Sequence, residues 1–321
     1  MERADFIRSQ RRYTALPTPF QDGPENVETA LDIDTYRQLV AIQFDVGNSV
    51  LGSGTTGESP TTSPVEEALM RAIMMEEKRN HRNSDIAVIG GVGSNHTRHA
   101  IEFMRAAARD KIDGALSVNP YYNKPPQEGL FMHHSLIAAA APDMPLIIYN
   151  IPGRTGVNIE PETLIRLAEA CPNVVGVKEC NVAQMTPEVI GQYPDDFKVW
   201  TGEDGGIVKV MEGGEYKGRR VGVHGAVSVL ANADPEGTRQ IVDLAARQEY
   251  ERAQAMLDQR ERFIGLLFDL KRGGSPAAIK AFMKRKGYGN GRVRLPLVPA
   301  EPELEDELAE EGGNLGFMRL V

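Results

Sequence analysis

The chain repeats one unit eight times: a short apolar run, a loop that contains Gly, Pro or Asn, and then residues at helical spacing. The apolar runs lie at 13–16, 48–51, 86–89, 114–118, 146–149, 174–177, 197–200 and within 221–229. Short apolar runs between turn signals predict strands, and strands that alternate with helices predict a parallel sheet. Because no unit carries a reversal signal, the pattern favours an α/β fold with a closed (β/α)8 TIM barrel over a doubly wound sheet.

The strand pattern stops near residue 235, and helical patterns at 237–268 and 275–286 follow it. The sequence therefore predicts a catalytic barrel domain at 1–235 and a small C-terminal helical region at 236–321. The acidic run 301–311 is typical of a solvated helix face or a mobile tail. We assign it no function.

Charge and cysteine content limit the classes of partner. Lys and Arg number 36 against 45 Asp and Glu, a net charge of −9, which argues against nucleic acid. No apolar run is long enough to span a membrane, and the first residues lack the apolar segment of a signal peptide. Cys171 and Cys180 flank one predicted strand, too far apart to form a disulfide. We expect a cytoplasmic protein with free thiols and no metal site.

A lysine stands at the end of the sixth predicted strand. Lys178 follows the uncharged run 174–177, which is typical of a strand that is buried on both faces. Desolvation favours the neutral amine of a lysine, and a neutral amine can form a Schiff base with a carbonyl substrate. Active sites of (β/α)8 barrels lie at this end of the strands. The alternative is a surface lysine at a strand terminus.

Four motifs resemble the dihydrodipicolinate synthase family, whose members are also called 4-hydroxy-tetrahydrodipicolinate synthases and belong to the pyruvate-dependent class I aldolases. The motifs are Gly-Thr-Thr-Gly-Glu at 54–58, Asn-Pro-Tyr-Tyr-Asn at 119–123, Tyr-Asn-Ile-Pro-Gly-Arg-Thr at 149–155 and Val-Gly-Val-Lys-Glu-Cys at 175–180. The resemblance runs from about residue 13 to residue 299 in the same order. Each motif alone is weak, but the four together are specific.

The resemblance implies catalytic roles for four residues. Lys178 is expected to attack the C2 carbonyl of pyruvate and form an imine, which becomes an enamine nucleophile. Tyr149 is expected to relay protons within a Thr–Tyr–Tyr chain that maps to Thr55, Tyr149 and Tyr122. Tyr122 matches the family residue that stands next to the partner subunit's network, so the resemblance implies a homotetramer built as a dimer of dimers.

The resemblance also implies substrate-binding residues. Thr56 is expected to donate to the pyruvate carboxylate, and Arg154 to bind the carboxylate of L-aspartate 4-semialdehyde, because a guanidinium pairs with a carboxylate through two hydrogen bonds. Gly225 and Val227 match the backbone that faces the keto acid. The implied enzyme is a carbon–oxygen lyase of lysine and diaminopimelate biosynthesis that needs no cofactor and no metal.

Two alternatives stay open. One is a lyase for another 2-keto acid, such as a 2-keto-3-deoxy sugar acid or N-acetylneuraminate; Arg154 argues against the latter because sialic-acid lyases lack an arginine in this motif. The other is a barrel that binds a keto acid without catalysis, which the intact set of Thr55, Tyr122, Tyr149 and Lys178 argues against.

The chain departs from the family pattern in two places. Residues 212–220 form a segment longer than the family norm, and the sequence leaves open whether it is a hairpin, a lid or a surface insertion. Some family members are inhibited by lysine at a subunit interface. The residues that match this site are Ser59, Asn95 and Tyr121, and those that differ are Pro64, Glu67 and His99. The loss of the acid that would pair with the ammonium predicts weak or absent lysine feedback.

Overall fold

The computed structural model describes residues 2–23, 30–83 and 85–318, and eight of its strands close into a parallel barrel. The barrel order is β1-β10-β7-β6-β5-β4-β3-β2, which confirms the predicted TIM barrel. The barrel strands are β1 (Arg12–Ala15), β2 (Ser49–Gly52), β3 (Val88–Gly91), β4 (Gly114–Val118), β5 (Leu146–Asn150), β6 (Val174–Glu179), β7 (Lys198–Thr201) and β10 (Gly225–Ser228).

Helices surround the barrel and pack its outer face. They are α1 (Arg3–Ser9), α2 (Ile33–Asp45), α3 (Pro64–Asn80), α4 (Thr97–Arg109), α5 (Gln127–Ala139), α6 (Pro152–Thr155), α7 (Pro161–Ala170), α8 (Pro187–Ile190), α9 (Ile207–Glu212), α10 (Pro235–Ala246), α11 (Tyr250–Asp258), α12 (Glu261–Phe268), α13 (Ala277–Arg285) and α14 (Pro302–Asn314). A capping box begins α3: the Ser63 side chain accepts from the backbone of Glu66, whose carboxylate accepts in return from the backbone of Ser63.

The core has two layers because side chains alternate across each strand. An outer cluster, which includes Val177, lies between strands and helices. An inner cluster fills the barrel and includes Val175 and the fully buried Trp200. The helix α1 closes the lower, N-terminal end of the barrel, where its fully buried Ile7 joins the inner cluster. The sequence analysis did not predict this helix.

A β-bulge in β6 determines which way its last residues point. Leu146 pairs with Val174 but Ile147 pairs with Gly176, so β6 carries one extra residue there. A shift of one residue turns the following side chains to the other face of a strand. As a result Lys178 faces the barrel interior.

Most of the segment 212–220 forms a two-stranded antiparallel hairpin over residues 214–221, which resolves the alternatives left by the sequence. Its strands are β8 (Gly214–Tyr216) and β9 (Arg219–Val221), and the turn residues Lys217 and Gly218 both have positive φ, at 49° and 78°. Positive φ at both turn positions suits the twist of a tight hairpin. Tyr216 packs on Gly191, where a Cβ would lie only 2.1 Å from the ring. The hairpin leads into the N-terminal end of β10, so it lies at the lower end of the barrel.

The C-terminal helices are ordered and packed. The predicted helical stretch 237–268 consists of the three helices α10, α11 and α12. The acidic run forms α14, in which Leu304 and Leu308 are fully buried, so the mobile-tail alternative is wrong and the helix alternative is confirmed. Because α10 packs against α9 and β10, the proposed division at residue 235 stays a prediction.

Both cysteines, Cys171 and Cys180, are free thiols, as predicted. Among the described residues, no helix is long and apolar enough to cross a membrane. The described part of the chain also contains no cluster of three or more His, Cys, Asp or Glu side chains that could hold a metal ion.

Candidate active site

Lys178 and Tyr149 lie side by side at the upper, C-terminal end of the barrel. They are register partners at the ends of β6 and β5, and the Nζ of Lys178 lies 4.3 Å from the centroid of the Tyr149 ring. Only 6% of Lys178 is exposed and only 4% of Tyr149. The structure therefore places the lysine inside the barrel mouth rather than on the surface.

The surroundings of Lys178 favour its neutral form. Burial is the main cause that lowers the pKa of Lys178, and Arg154 acts in the same direction. Cys180, Asp204 and Glu203 oppose this shift. The balance still lowers the pKa, so a larger fraction of the amine is neutral and nucleophilic than for a lysine in water.

The Tyr149 phenol lies near the side chains of Thr55 and Cys180, and both act on its pKa. Burial raises the pKa of the Tyr149 phenol well above its usual value, Cys180 acts in the same direction, and Thr55 opposes the shift. The phenol is therefore protonated at neutral pH, and it can pass a proton on only in concert with a hydrogen-bond partner. Two members of the predicted Thr–Tyr–Tyr chain are thus neighbours within one chain.

The loop after β2 carries Thr55 and Thr56, and glycine lets it lie close to β3. A Cβ on Gly91 would lie 1.8 Å from the carbonyl oxygen of Ser53, so any other residue there would displace the loop. Ser53 itself has a positive φ of 54°. Thr56 is buried, and Thr55 is partly exposed at the mouth.

Arg154 lies on the short helix α6, directly after β5. Its guanidinium is exposed, and Nη2 donates to the carbonyl oxygen of Ser275 at 3.0 Å. It lies near enough to the mouth to help lower the pKa of Lys178. Arg154 therefore brings a positive charge near Lys178.

Gly202 belongs to this site, although the sequence analysis did not single it out. It follows β7, and a Cβ there would lie 2.8 Å from Cε of Lys178 and 2.4 Å from Sγ of Cys180. The signal was present, because Thr-Gly-Glu-Asp at 201–204 follows the seventh apolar run as the other site motifs follow theirs. Only a glycine leaves room for the lysine side chain.

Two buried acids hold the ends of neighbouring strands together. Asp204 accepts hydrogen bonds from the backbone N–H groups of Val229 (2.9 Å) and Leu230 (3.0 Å), and thereby joins the segments after β7 and β10. Glu179, beside Lys178 in β6, accepts from the side chain of Asn150 at 2.9 Å and from the backbone of Asn181 at 2.7 Å. Burial raises the pKa of Glu179 to about 7.

Three further predicted site residues have different surroundings within a single chain. Tyr122 is 88% exposed and has a left-handed backbone conformation. Gly225 is the first residue of β10, and a Cβ there would lie 2.0 Å from the carbonyl oxygen of Arg11, so its surroundings are those of strand packing. Val227 is 1% exposed and belongs to the inner cluster.

The residues that match the lysine site lie in the segments that follow β2, β3 and β4. Ser59, Asn95 and Tyr121 are each partly exposed. Glu67, where the pattern differs, is 4% exposed. Its carboxylate accepts from the hydroxyl of Thr62 at 3.3 Å and lies 3.8 Å from the guanidinium of Arg71 on the same helix. His99, another residue at which the pattern differs, stacks on His96 with the ring centroids 4.1 Å apart.

Comparisons with known proteins agree across sequence and structure. Residues 8–311 match the model of the dihydrodipicolinate synthetase family. A 4-hydroxy-tetrahydrodipicolinate synthase of Symbiobacterium thermophilum is 36% identical over 309 residues, 96% of this chain and 98% of that protein. The dihydrodipicolinate synthase of Aquifex aeolicus superposes with a TM-score of 0.86 at 31% identity, covering 96% and 98% of the two chains. The enzyme of Cyanidioschyzon merolae with lysine bound gives 0.85 at 32%, covering 97% and 99%.

Proposed function

The chain belongs to the dihydrodipicolinate synthetase family, and on that premise we propose that it is a 4-hydroxy-tetrahydrodipicolinate synthase of lysine and diaminopimelate biosynthesis. It condenses pyruvate with L-aspartate 4-semialdehyde and is a lyase of the carbon–oxygen class. The observation that carries the proposal is the buried Lys178, which lies 4.3 Å from the ring of Tyr149 at the barrel mouth.

The bond-forming steps of the reaction take place on Lys178. The neutral amine attacks C2 of pyruvate, and loss of water gives an imine. Loss of a proton from the methyl carbon converts the imine into an enamine, which attacks the aldehyde carbon of the second substrate. Attack of that substrate's own amino group on C2 then closes the ring and releases the lysine. These steps need no metal or organic cofactor, because the imine itself acts as the electron sink.

Tyr149 and Thr55 transfer the protons that these steps require. Because the pKa of Tyr149 is raised, the phenol donates and accepts only while a partner exchanges a proton with it. Thr55 supplies one such partner. Tyr122, which is 88% exposed, supplies the other from a neighbouring subunit. The proposal therefore requires at least a dimer, and the assembly is a homotetramer built as a dimer of dimers. A fully active monomer in analytical ultracentrifugation would contradict it.

Carboxylates of the two substrates bind to different parts of the mouth. Thr56, buried in the loop after β2, donates to the pyruvate carboxylate. Arg154, exposed above the lysine, binds the carboxylate of L-aspartate 4-semialdehyde. The backbone of Val227, which shares the inner cluster with Tyr149, completes the wall that faces the keto acid.

The decisive experiment is borohydride reduction in the presence of pyruvate, followed by peptide mass mapping. We expect a pyruvyl adduct on Lys178 and none in the Lys178→Gln variant. Absence of the adduct from the unmodified enzyme would refute the proposal. If the adduct forms, consumption of L-aspartate 4-semialdehyde separates a synthase from a lyase for other 2-keto acids. An adduct without turnover of any of these substrates would indicate a keto-acid-binding barrel.

A further inference from the structure

A buried carboxylate ends the loop that carries Thr55 and Thr56. Glu58 has a left-handed backbone conformation, with φ 55° and ψ 36°, although it is not a glycine. Its side chain is fully buried. A left-handed conformation is unfavourable for a residue other than glycine, so contacts of Glu58 must hold the chain in it.

The contacts of Glu58 come from the C-terminal part of the chain. Lys280, on α13, donates from Nζ to Oε1 of Glu58 at 2.6 Å, and its own side chain is 5% exposed. The backbone N–H of Arg294 donates to Oε2 at 2.9 Å. The ammonium of Lys280 and the guanidinium of Arg294 each lie 4.2 Å from the centroid of the ring of Phe20, which is in the loop after β1. Three separate parts of the chain therefore meet at one carboxylate.

The anchored residue is directly connected to Thr55. The backbone N–H of Glu58 donates to the carbonyl oxygen of Thr55 at 3.0 Å, and Ser59 donates to Gly54 at 3.2 Å, so the loop closes on itself as a hydrogen-bonded turn. The hydroxyl of Thr18 donates to the carbonyl oxygen of Gly57 at 2.6 Å and holds the same turn from below. A shift of Glu58 would therefore move Thr55.

Stability alone does not account for a buried ion pair. Removing two charges from water costs about as much as their attraction returns, and neutral replacements of such pairs are often as stable. Burial lowers the pKa of Lys280 to about 8, while Glu58 opposes this shift, so most of the lysine is charged at neutral pH. What the pair does provide is a fixed direction for the Glu58 side chain, since both carboxylate oxygens are bound.

We propose that Lys280 is a positioning residue, which acts through Glu58 to set the turn that presents Thr55 and Thr56 to Lys178. The inference rests on the proposed function, since it assumes that both threonines act on pyruvate and its imine. It makes the C-terminal helical region part of the catalytic apparatus.

The test compares Lys280→Met with a matched control on the same helix. Lys284 pairs with Glu305 at 3.0 Å, is 46% exposed in its side chain, and does not touch the loop, so Lys284→Met makes the same chemical change without the anchor. We expect Lys280→Met to lower kcat/KM for pyruvate by about 10- to 100-fold, the range for small misplacements of catalytic groups. Lys284→Met should stay within twofold of the unmodified enzyme.

A second variant separates positioning from folding. Glu58→Gln combined with Lys280→Met leaves no unpaired buried charge, so its melting temperature should return toward that of the unmodified enzyme. Its kcat/KM for pyruvate should remain low, because no ion pair fixes the direction of the side chain at position 58. A folded double variant with unmodified kinetics would overturn the inference, and so would a pyruvyl adduct on Lys280.

The same samples distinguish this inference from the proposed function. Borohydride trapping at saturating pyruvate should still label Lys178 in Lys280→Met, but at a lower rate. If the unmodified enzyme is not labelled at all, the proposed function fails. If it is labelled and Lys280→Met is labelled at the same rate, only the positioning role fails.

Discussion

Gly202→Ala tests the geometry around the reactive amine with a single methyl group. The added Cβ would lie 2.8 Å from Cε of Lys178 and 2.4 Å from Sγ of Cys180. Gly202 does not have a positive φ, so an alanine fits its backbone conformation without strain. The substitution should therefore leave the fold intact and act on the side chains that line the mouth.

The size of the effect follows from these distances. Ordinary contact of a Cβ begins at 3.4 Å, so Cε of Lys178 must recede by at least 3.4 − 2.8 = 0.6 Å. Misplacement of a reacting group by about 1 Å costs on the order of 100-fold in rate. We expect kcat/KM for pyruvate to fall by about 10- to 100-fold. The rate of borohydride trapping should fall in parallel, because imine formation is the affected step.

Two further variants make the result interpretable. Gly206→Ala, four residues later, places a Cβ with nothing within 4 Å and should be kinetically silent. Combining Gly202→Ala with Cys180→Ala removes the contact with sulfur and leaves only the contact with Lys178. If Gly202→Ala keeps kcat/KM within twofold of the unmodified enzyme, or if the double variant recovers fully, displacement of the lysine is not the cause and the reasoning is refuted.

Three other predictions concern charge, packing and regulation. Glu203→Gln removes a carboxylate that raises the pKa of Lys178, so the acid limb of the pH profile for adduct formation should move to lower pH. A move to higher pH would contradict the role of Lys178 as the titrating amine. Leu308→Ala should lower the free energy of unfolding by about 2–5 kcal/mol in urea denaturation. Glu310 is exposed on the same helix, so Glu310→Ala should change the free energy of unfolding by less than about 0.5 kcal/mol. Equal effects would show that α14 does not pack as described. Lysine feedback should be weak or absent because the acid that would pair with the ammonium of lysine is missing. The carboxylate of Glu67 is buried beside Arg71 on its own helix and does not replace that acid. Half-inhibition of the steady-state rate at submillimolar lysine would contradict this prediction.

The sequence predicted those elements whose ends are marked by local chemistry. The bounds of β4 agree with the predicted run 114–118, because a glycine begins the strand. The third strand was expected at 86–89 but extends over Val88–Gly91. Its two glycines suggested a loop, whereas the structure uses Gly91 within the strand for close approach to Ser53.

Features that depend on distant contacts were not predictable in this way. The helix α1 is stabilised by burial of Ile7 in the barrel floor, and its own short sequence carries no amphipathic repeat. The inward direction of Lys178 depends on the bulge in β6 opposite β5, and no residue pattern predicts this bulge. Motif resemblance therefore found the lysine, but only the register of the strands explains why it faces the substrate.

The hairpin of β8 and β9 lies at the end of the barrel that takes no part in the proposed catalysis. Its tip, Lys217–Gly218, is exposed and lies at the barrel end opposite to Lys178, beyond the N-terminal end of β10. Tyr216, packed on Gly191, fixes the base of the hairpin independently of its tip. A foreign peptide, an affinity tag or a fluorophore grafted between the two strands would be displayed there at a distance from the entering substrates. The same ribbon could tether the enzyme to a solid support with its mouth open to solution.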